Sequence, residues 1–551
     1  MKNAKRLLSL FLCAAAAASA TACSTAGAAA NSEAAASSGQ DSAVRDEAYY
    51  ETVTYDEPIT ISYCTIPVRD GVDYNNDDDY AKWWTEKFNI QWDIISVEST
   101  RLDEMVRVWI NSGDMPDLLS LNYNHSDAMG YVDQGLIRRL PDDWKEKWPV
   151  MAEAYSGTQL GDKLEEIFGG TYVLPRPLFA ENKPIEPDVC YHQVLALRSD
   201  WLTELGFEMK DSYKTSEIIE MARALKEKDP GNVGDSLIPI GGDPTQLCRM
   251  FVDSNSTHAS ENHTKRATYY KDESGQYVWG PANEETLTGL KLYNQAYREG
   301  LLYPEFFNYK GTEANDAFDK SGYVGMLFVD GMAKGFQPRE QYFQEYLGLD
   351  SREAVHYAYV QGEDGYFHSP ALVNMYLAQV MSPTMDDATF ERLMDVMNYT
   401  CTPEGILHCR MGLEGVDWEY DENGEPVTLW TESAAISEVH KAQYPLYNAL
   451  YINSDDFNMV DPNLRQEYKD LGRGFYEKKK ANSTPETFPA VDWDVFLSDS
   501  VNLSKVSINY VTDYAEIAVK EGDVEENWKA WIEEQMPMVQ PALDDLNNMA
   551  G

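Results

Sequence analysis

Histidine, basic residues and long apolar runs are what this chain has little of. It carries 8 His in 551 residues, and 45 Lys and Arg stand against 92 Asp and Glu, for a formal charge of −47. So acidic a surface repels the backbone of nucleic acid and the face of an anionic membrane, so neither is an expected partner. Cysteines are few and scattered, with no CxxC knuckle and no disulfide framework. Cys64, Cys190, Cys248, Cys401 and Cys409 read as small buried thiols; Cys401 and Cys409 could pair, though their spacing does not require it. No GxSxG elbow, HExxH helix, Walker loop or GxGxxG turn is present, so hydrolytic, zinc and nucleotide chemistry have no signature here. His258 and His263 have poor spacing for a metal and read as surface residues. After the first 22 residues no segment is apolar for the length a membrane span needs.

What is present begins at the N-terminus. Lys2, Lys5 and Arg6 precede an apolar run from Leu7 to Ala18, and Ser19-Ala-Thr-Ala22 supplies the small residues of a cleavage site. Residues 1–22 are read as a signal peptide, since the run is too short to span a bilayer. Ala20-Thr-Ala-Cys23 resembles a bacterial lipobox, in which Cys23 is lipidated and becomes the mature N-terminus. Ala18-Ser-Ala20 would also serve an ordinary secretory peptidase, and Ala20 stands where a lipobox prefers leucine. The next stretch favours the lipoprotein. Residues 24–45 are almost all Ser, Ala, Thr, Gly, Asn and Gln, with too little apolar bulk to order themselves. Residues 23–50 are assigned as a flexible tether between a lipid and a folded body. The protein is thereby expected on the extracellular face of the cell membrane, held to the bilayer through its N-terminal lipid only.

The body alternates strand and helix. Pro58-Ile-Thr-Ile-Ser-Tyr63 has the period of a half-buried strand, and Asp117-Leu-Leu-Ser-Leu121 reads as a short buried one. Between them, Arg101–Asn111 gathers Leu102, Met105, Val106, Trp109 and Ile110 on one helical side, with a stop at Gly113. Val194–Arg198 and Tyr323–Phe328 are further strands, and Thr215–Lys228, Glu284–Glu299 and Asp387–Tyr399 are helices. Hairpins are expected at 268–279 and at 418–430, the second around Asn423-Gly424. The alternation predicts an α/β body with largely parallel sheets, and the length predicts two or more lobes.

Several local patterns then recur in a telling order. They are Ser112-Gly-Asp-Met-Pro-Asp-Leu-Leu119, Tyr131-Val-Asp-Gln-Gly-Leu-Ile137, Gly170-Thr-Tyr-Val-Leu-Pro175, Leu197-Arg-Ser-Asp-Trp-Leu202, Lys214-Thr-Ser-Glu217, Tyr297-Arg-Glu-Gly-Leu-Leu-Tyr-Pro-Glu305 and Gly412-Leu-Glu-Gly-Val-Asp-Trp418. From about Pro58 to the C-terminus the series resembles extracellular solute-binding protein family 1, the substrate-binding lipoproteins of carbohydrate ABC importers. The resemblance implies a periplasmic-binding-protein type II fold, with two discontinuous α/β lobes, a hinge and an interlobe cleft. The N-terminal lobe is expected from 51–185 plus 310–375, and the C-terminal lobe from 186–309 plus 376–551. The resemblance also implies an oligosaccharide ligand, an ABC permease as partner, a monomer and no catalysis.

A further likeness, to the alginate-binding members, points to a calcium loop after Thr215–Lys228. Here that stretch reads Asp229-Pro-Gly-Asn-Val-Gly-Asp-Ser-Leu237. Asp229, Asn232 and Asp235 are the candidate ligands, but the loop is one residue short of the family pattern and lacks its closing Asp-Glu pair. Calcium takes six to eight oxygens, so a plain Pro-Gly loop is the expected reading and no cofactor is assigned.

A sugar needs flat rings against its C–H faces and polar side chains for its hydroxyls. With 13 Trp and 35 Tyr, composition selects none of them. The candidates are therefore residues near predicted strand ends, where clefts of open α/β sheets form. Asn122, Tyr123 and Asn124 follow the strand ending at Leu121. Tyr172 lies beside a Gly-Gly turn, Trp279 ends a hairpin strand, Glu414 and Trp418 share the Gly-Leu-Glu-Gly-Val-Asp-Trp pattern, and Tyr447 lies in a later loop. Arg198, with Trp201, belongs to Arg-Ser-Asp-Trp-Leu, where a place in the lobe core and contact with the ligand are both open. Asn122, Asn124 and Glu414 would hold hydroxyls. A receptor for a peptide or other polar solute, and an extracellular carbohydrate-active enzyme, remain as alternatives.

Overall fold

The computed structural model describes residues 43–65, 74, 76–97, 101–156, 158–177, 193–261, 264–309, 312–375, 377–429 and 464–550. Cys23, Cys190, His263 and Tyr447 lie outside them, as do the signal segment and most of the assigned tether. The chain divides into two compact units, Met1–Ala43 and Val44–Gly551. Every strand described belongs to the second.

In chain order the strands are β1 (Ile59–Cys64), β2 (Ile90–Ile94), β3 (Leu118–Leu121), β4 (Leu174–Pro175), β5 (Gln193–Arg198), β6 (Ser212–Lys214), β7 (Ile238–Gly241), β8 (Tyr269–Lys271), β9 (Tyr277–Trp279), β10 (Val324–Asp330), β11 (Val355–Gln361), β12 (Ala378–Met381), β13 (Trp418–Tyr420) and β14 (Pro426–Thr428). One five-stranded sheet runs β2-β1-β3-β12-β4 and another runs β6-β11-β5-β10-β7; β8 with β9 and β13 with β14 form the two expected hairpins.

Side chains alternate across each strand, and both faces of each sheet are buried. In β3, Leu118 joins one apolar cluster while Leu119 and Leu121 join another. In β5, Leu195 and Leu197 face one cluster while Val194 and Ala196 face its opposite. Helices therefore cover both faces of both sheets, as in α/β folds generally. The helix Leu102–Ser112 buries Leu102, Val106 and Ile110 on its apolar stripe, with Met105 and Trp109 partly buried beside them. It stops at Gly113, whose φ of 76° suits glycine. The helix Glu284–Arg298 starts at Asn283, whose side chain accepts the Thr286 N–H at 2.8 Å. Among the described residues no helix is long and apolar enough to cross a membrane.

The sheets are mixed rather than largely parallel. β1 runs parallel to β2 and β3, but β12 runs antiparallel to β3 and β4. In the second sheet, β5 runs antiparallel to both β10 and β11. The reason lies in how the chain crosses between sheets. Pro175 at the end of β4 and Leu121 at the end of β3 both pair with Ala378, the first residue of β12. Likewise Asp330 at the end of β10 pairs with Gln193, the first residue of β5. Strands leave each sheet at one edge, and a strand arriving from the other sheet enters at that same edge, so it must run the opposite way.

Lobe membership also differs from the expected boundaries. β10 and β11, inside the stretch 310–375, pair into the second sheet. β12 pairs into the first, and Phe390, Leu393 and Met397 from the helix Asp387–Thr400 pack in the same cluster as Ile61 and Tyr63. A run of buried residues announces a strand without saying which sheet it joins. Cys64, Cys248, Cys401 and Cys409 are in no disulfide among the described residues, three of them buried and Cys401 half-buried.

Candidate functional site

The loop after β3 opens a cavity of about 410 Å³, walled by the first sheet on one side and by residues packed beside the second on the other. From the first sheet come Asn122, Tyr123 and Asn124 and the helices on either side. From the side of the second sheet, whose core Tyr269 joins from the β8–β9 hairpin, come Glu261, Lys265, Arg266 and Tyr269, and the wall is completed by Phe496, Leu503, Ser504, Val506 and Ser507. The cavity lies at the edge where Leu121 meets Ala378, so it sits where the chain crosses.

Local chemistry fixes each wall. Asn124 caps the helix His125–Asp133 by accepting the Asp127 N–H at 3.1 Å. Asn122 donates to Asp103 at 2.9 Å, and Asp127 takes an ion pair from Arg107 at 3.0 Å. Tyr123 and His125 share a hydrogen bond at 2.7 Å between the hydroxyl and Nδ1. Both are buried. Burial, reinforced by the nearby Arg266 charge, pushes the His125 pKa down to about 4, with Asp499 acting the other way. His125 is therefore neutral over the physiological range. Phe496 lies on Tyr123.

The opposite wall is built around Arg266. Its guanidinium Nη1 donates to the carbonyls of Val495, Phe496 and Ser498 at 3.1, 3.1 and 2.9 Å. Its backbone N–H donates to the Glu261 carboxylate at 2.8 Å, and φ is 64°, a left-handed conformation uncommon outside glycine. Burial pushes the Glu261 carboxyl up, against the pull of Lys265 and Arg266. A second cavity of about 510 Å³ adjoins the first and shares Lys265, Arg266, Tyr269 and Phe496 with it. Its wall includes His258, which is half-buried rather than exposed. That ring stacks on Tyr270 at 4.3 Å, and Nδ1 bonds the Ala267 carbonyl oxygen at 2.7 Å.

The other candidates are placed elsewhere. Tyr172 is half-buried, with its edge on Phe168, which in turn stacks on His125. Arg198 donates to both oxygens of Asp200 at 2.9 and 2.5 Å and lies 3.9 Å over the Trp201 ring. Trp279 stacks on Trp531 at 5.4 Å and donates to the Tyr510 hydroxyl. Trp418 is buried and donates to the Gly412 carbonyl at 3.1 Å, while Glu414 is exposed and bridges Trp418 through its backbone. That motif closes on itself: Asp417 accepts the Leu413 N–H at 2.8 Å, and its carboxylate fills the space a side chain at residue 412 would need.

The loop with the calcium candidates also closes on itself. Asp229 accepts the N–H groups of Val233 and Gly234 at 2.9 and 2.8 Å, one on each carboxylate oxygen. Asp229 and Asn232 have φ of 42° and 51°, and Asp235 is exposed. Such a donor set does not fit calcium. Among the described residues no group of three or more His, Cys, Asp or Glu is placed to hold a metal ion.

Sequence reasoning missed Arg266, Tyr269, Glu261, His125 and Phe496. Tyr269 lies in a strand that was legible, and His125 directly follows the loop that was chosen. Nothing local marks Phe496 as the ring that covers Tyr123.

A scan against protein-family models and a search of curated proteins both find no match. Solved structures do match over nearly the whole chain. The alginate-binding protein AlgQ2, without calcium ion, is 16% identical, with a TM-score of 0.63 over 90% of this chain and 98% of that one. The S. pneumoniae ABC-transporter substrate binding protein FusA, in complex with kestose, is 16% identical, with a TM-score of 0.62 over 89% and 98%. An extracellular solute-binding protein from Bifidobacterium longum subsp. infantis is 14% identical, with a TM-score of 0.64 over 91% and 99%. What is shared at these identities is the fold, the two-lobed α/β architecture of carbohydrate-transporter solute-binding proteins.

Proposed function

We propose that this chain is the substrate-binding component of an ABC importer, which captures an oligosaccharide between its lobes and delivers it to a membrane permease. The observation that carries this reading is a cavity walled by the loop after β3 on one side and, on the other, by Glu261, Lys265, Arg266 and Tyr269 beside the second sheet. A ligand filling it touches both lobes, so binding favours the closed arrangement over the open one. Tyr123, Tyr269 and Phe496 give the cavity an aromatic lining suited to the C–H faces of a sugar, and Asn122 and Asn124 bring polar groups for hydroxyls. The fold shared with proteins described as binding alginate and kestose supports the same class of ligand. The protein works as a monomer on the outer face of the cell membrane. Lipid on Cys23 keeps it at high effective concentration beside the permease. It performs no chemistry on the sugar.

Thermal-shift screening of the mature chain against oligosaccharides, with chromatography of each incubated hit, tests this. Stabilisation without product is expected, because a ligand that binds only the native state raises stability. Product formation would replace the reading with a carbohydrate-active enzyme, and a response to peptides alone would replace it with a peptide receptor. Mass spectrometry of the mature N-terminus tests the lipid on Cys23.

A further inference from the structure

Among the described residues, one charged group of the cavity between the lobes lacks a counter-charge in ion-pair contact, and it is positive. The cavity's three acidic side chains are all engaged. Asp127 pairs with Arg107, Asp103 accepts from Asn122, and Glu261 accepts the Arg266 backbone N–H with Lys265 at 3.8 Å. The Arg266 guanidinium has no carboxylate within ion-pair distance among the described residues. Its only side-chain partners are three neutral carbonyls, all on Nη1. Among the described residues the Nε and Nη2 edge meets no acceptor. That edge presents two parallel N–H donors, the geometry that grips a planar carboxylate.

A second group points the same way. The Tyr269 ring is 2% exposed and its hydroxyl is buried without a hydrogen-bond partner. Orphaned buried hydroxyls are rare in native proteins and call for an explanation. Tyr269 sits one turn from Arg266, donating its backbone N–H to the Arg266 carbonyl at 3.2 Å, and both residues line the two adjoining cavities. Arg266 is also held in a left-handed backbone conformation, and strain of that kind gathers at binding sites. In a chain where acids outnumber bases two to one, three donors without a described partner, beside a cation with no carboxylate in ion-pair contact among the described residues, form a receiving set for an anion.

Taking the cavity as the oligosaccharide site proposed above, we infer that the Nε/Nη2 edge of Arg266 and the Tyr269 hydroxyl receive a sugar carboxylate. The ligand is then a uronate-bearing oligosaccharide rather than a neutral one.

The test compares digests of homogalacturonan and glucuronoxylan with those of their neutral counterparts, galactan and xylan, by thermal shift and titration calorimetry on the mature chain. Binding confined to the acidic digests is expected, with affinity falling as salt is added. Tyr269→Phe removes only the unpartnered hydroxyl, so it is expected to leave the melting temperature unchanged or raised and to weaken binding about tenfold. Arg266→Met is expected to weaken it about a hundredfold. Binding of neutral digests as tight as that of acidic ones, or acidic binding untouched by both substitutions, overturns the inference and leaves the oligosaccharide reading standing. Silence from all four digests overturns this inference as well, whereas the oligosaccharide reading falls only if the wider saccharide screen is silent while peptides respond.

Discussion

The ring of Tyr123 lies on the ring of Phe496, with centroids 6.1 Å apart and planes 23° from parallel. Tyr123 follows a strand of the first sheet. Phe496 belongs to the C-terminal part of the chain, where its neighbour Val495 packs into the core of the second sheet. The short helix Trp493–Phe496 thus ties the floor of the cavity to both lobes.

Phe496→Ala is expected to destabilise the protein by about 3–5 kcal/mol, the usual cost of truncating a buried phenylalanine. In a double-mutant cycle with Tyr123→Ala, the ring pair is expected to show a coupling of about 0.5–1.5 kcal/mol. Denaturant unfolding measures both, and strict additivity would mean that the stacking contributes nothing.

His125 makes stability depend on pH with a definite sign. Its pKa in the folded chain is about 4, below the roughly 6.5 of an unfolded histidine. Between these values the unfolded chain binds a proton that the folded chain does not. Stability from this residue is therefore full above about pH 6.5 and is lost as pH falls toward 4. The loss amounts to at most about 3 kcal/mol. His125→Gln keeps a polar partner for Tyr123 and is expected to flatten this part of the profile, as thermal melts from pH 4 to 8 will record.

Trp279 and Arg198 separate fold from site. Trp279 packs between Tyr510 and Trp531 in the second lobe, so Trp279→Ala is expected to cost about 3–5 kcal/mol. Arg198→Met breaks the pair with Asp200. Neither side chain lines the cavity, so saccharide affinity measured below the melting range is expected to stay within about twofold of wild type for both.

The loop at Asp229 is expected to hold without calcium. Chelator should leave the melting temperature unchanged, and added calcium should not raise it, because the Asp229 carboxylate already satisfies two backbone N–H groups. Asp229→Ala, which orphans both, should cost about 1–2 kcal/mol.

Elements with a strong local signature were legible in the sequence. The apolar stripe of Leu102, Val106 and Ile110, the buried run at Leu118–Leu121 and the Asn423-Gly424 turn all form as their periodicity and turn chemistry dictate. The α/β character followed from their alternation. Strand direction did not, because β5 and β12 run backwards for a topological reason that no local pattern carries. Sheet membership of β10 and β12 was hidden for the same reason.

The candidate cavity was half legible. Asn122, Tyr123 and Asn124 line the cavity because they follow the end of a central strand, and strand ends can be read from sequence. The aromatic candidates outside that loop were chosen for their places beside a turn, at a hairpin strand end or in a family pattern, and in Trp279 and Trp418 the rings fill cores instead. Arg266 could not have been found, since its role depends on three carbonyls more than two hundred residues away in the chain.

Titration calorimetry of an oligosaccharide hit against the wild-type chain and Tyr123→Ala tests interlobe capture most directly. One site per chain is expected, with a negative heat-capacity change from apolar burial and an affinity at least about tenfold weaker in the variant. Equal affinity in the two proteins would contradict capture in this cavity.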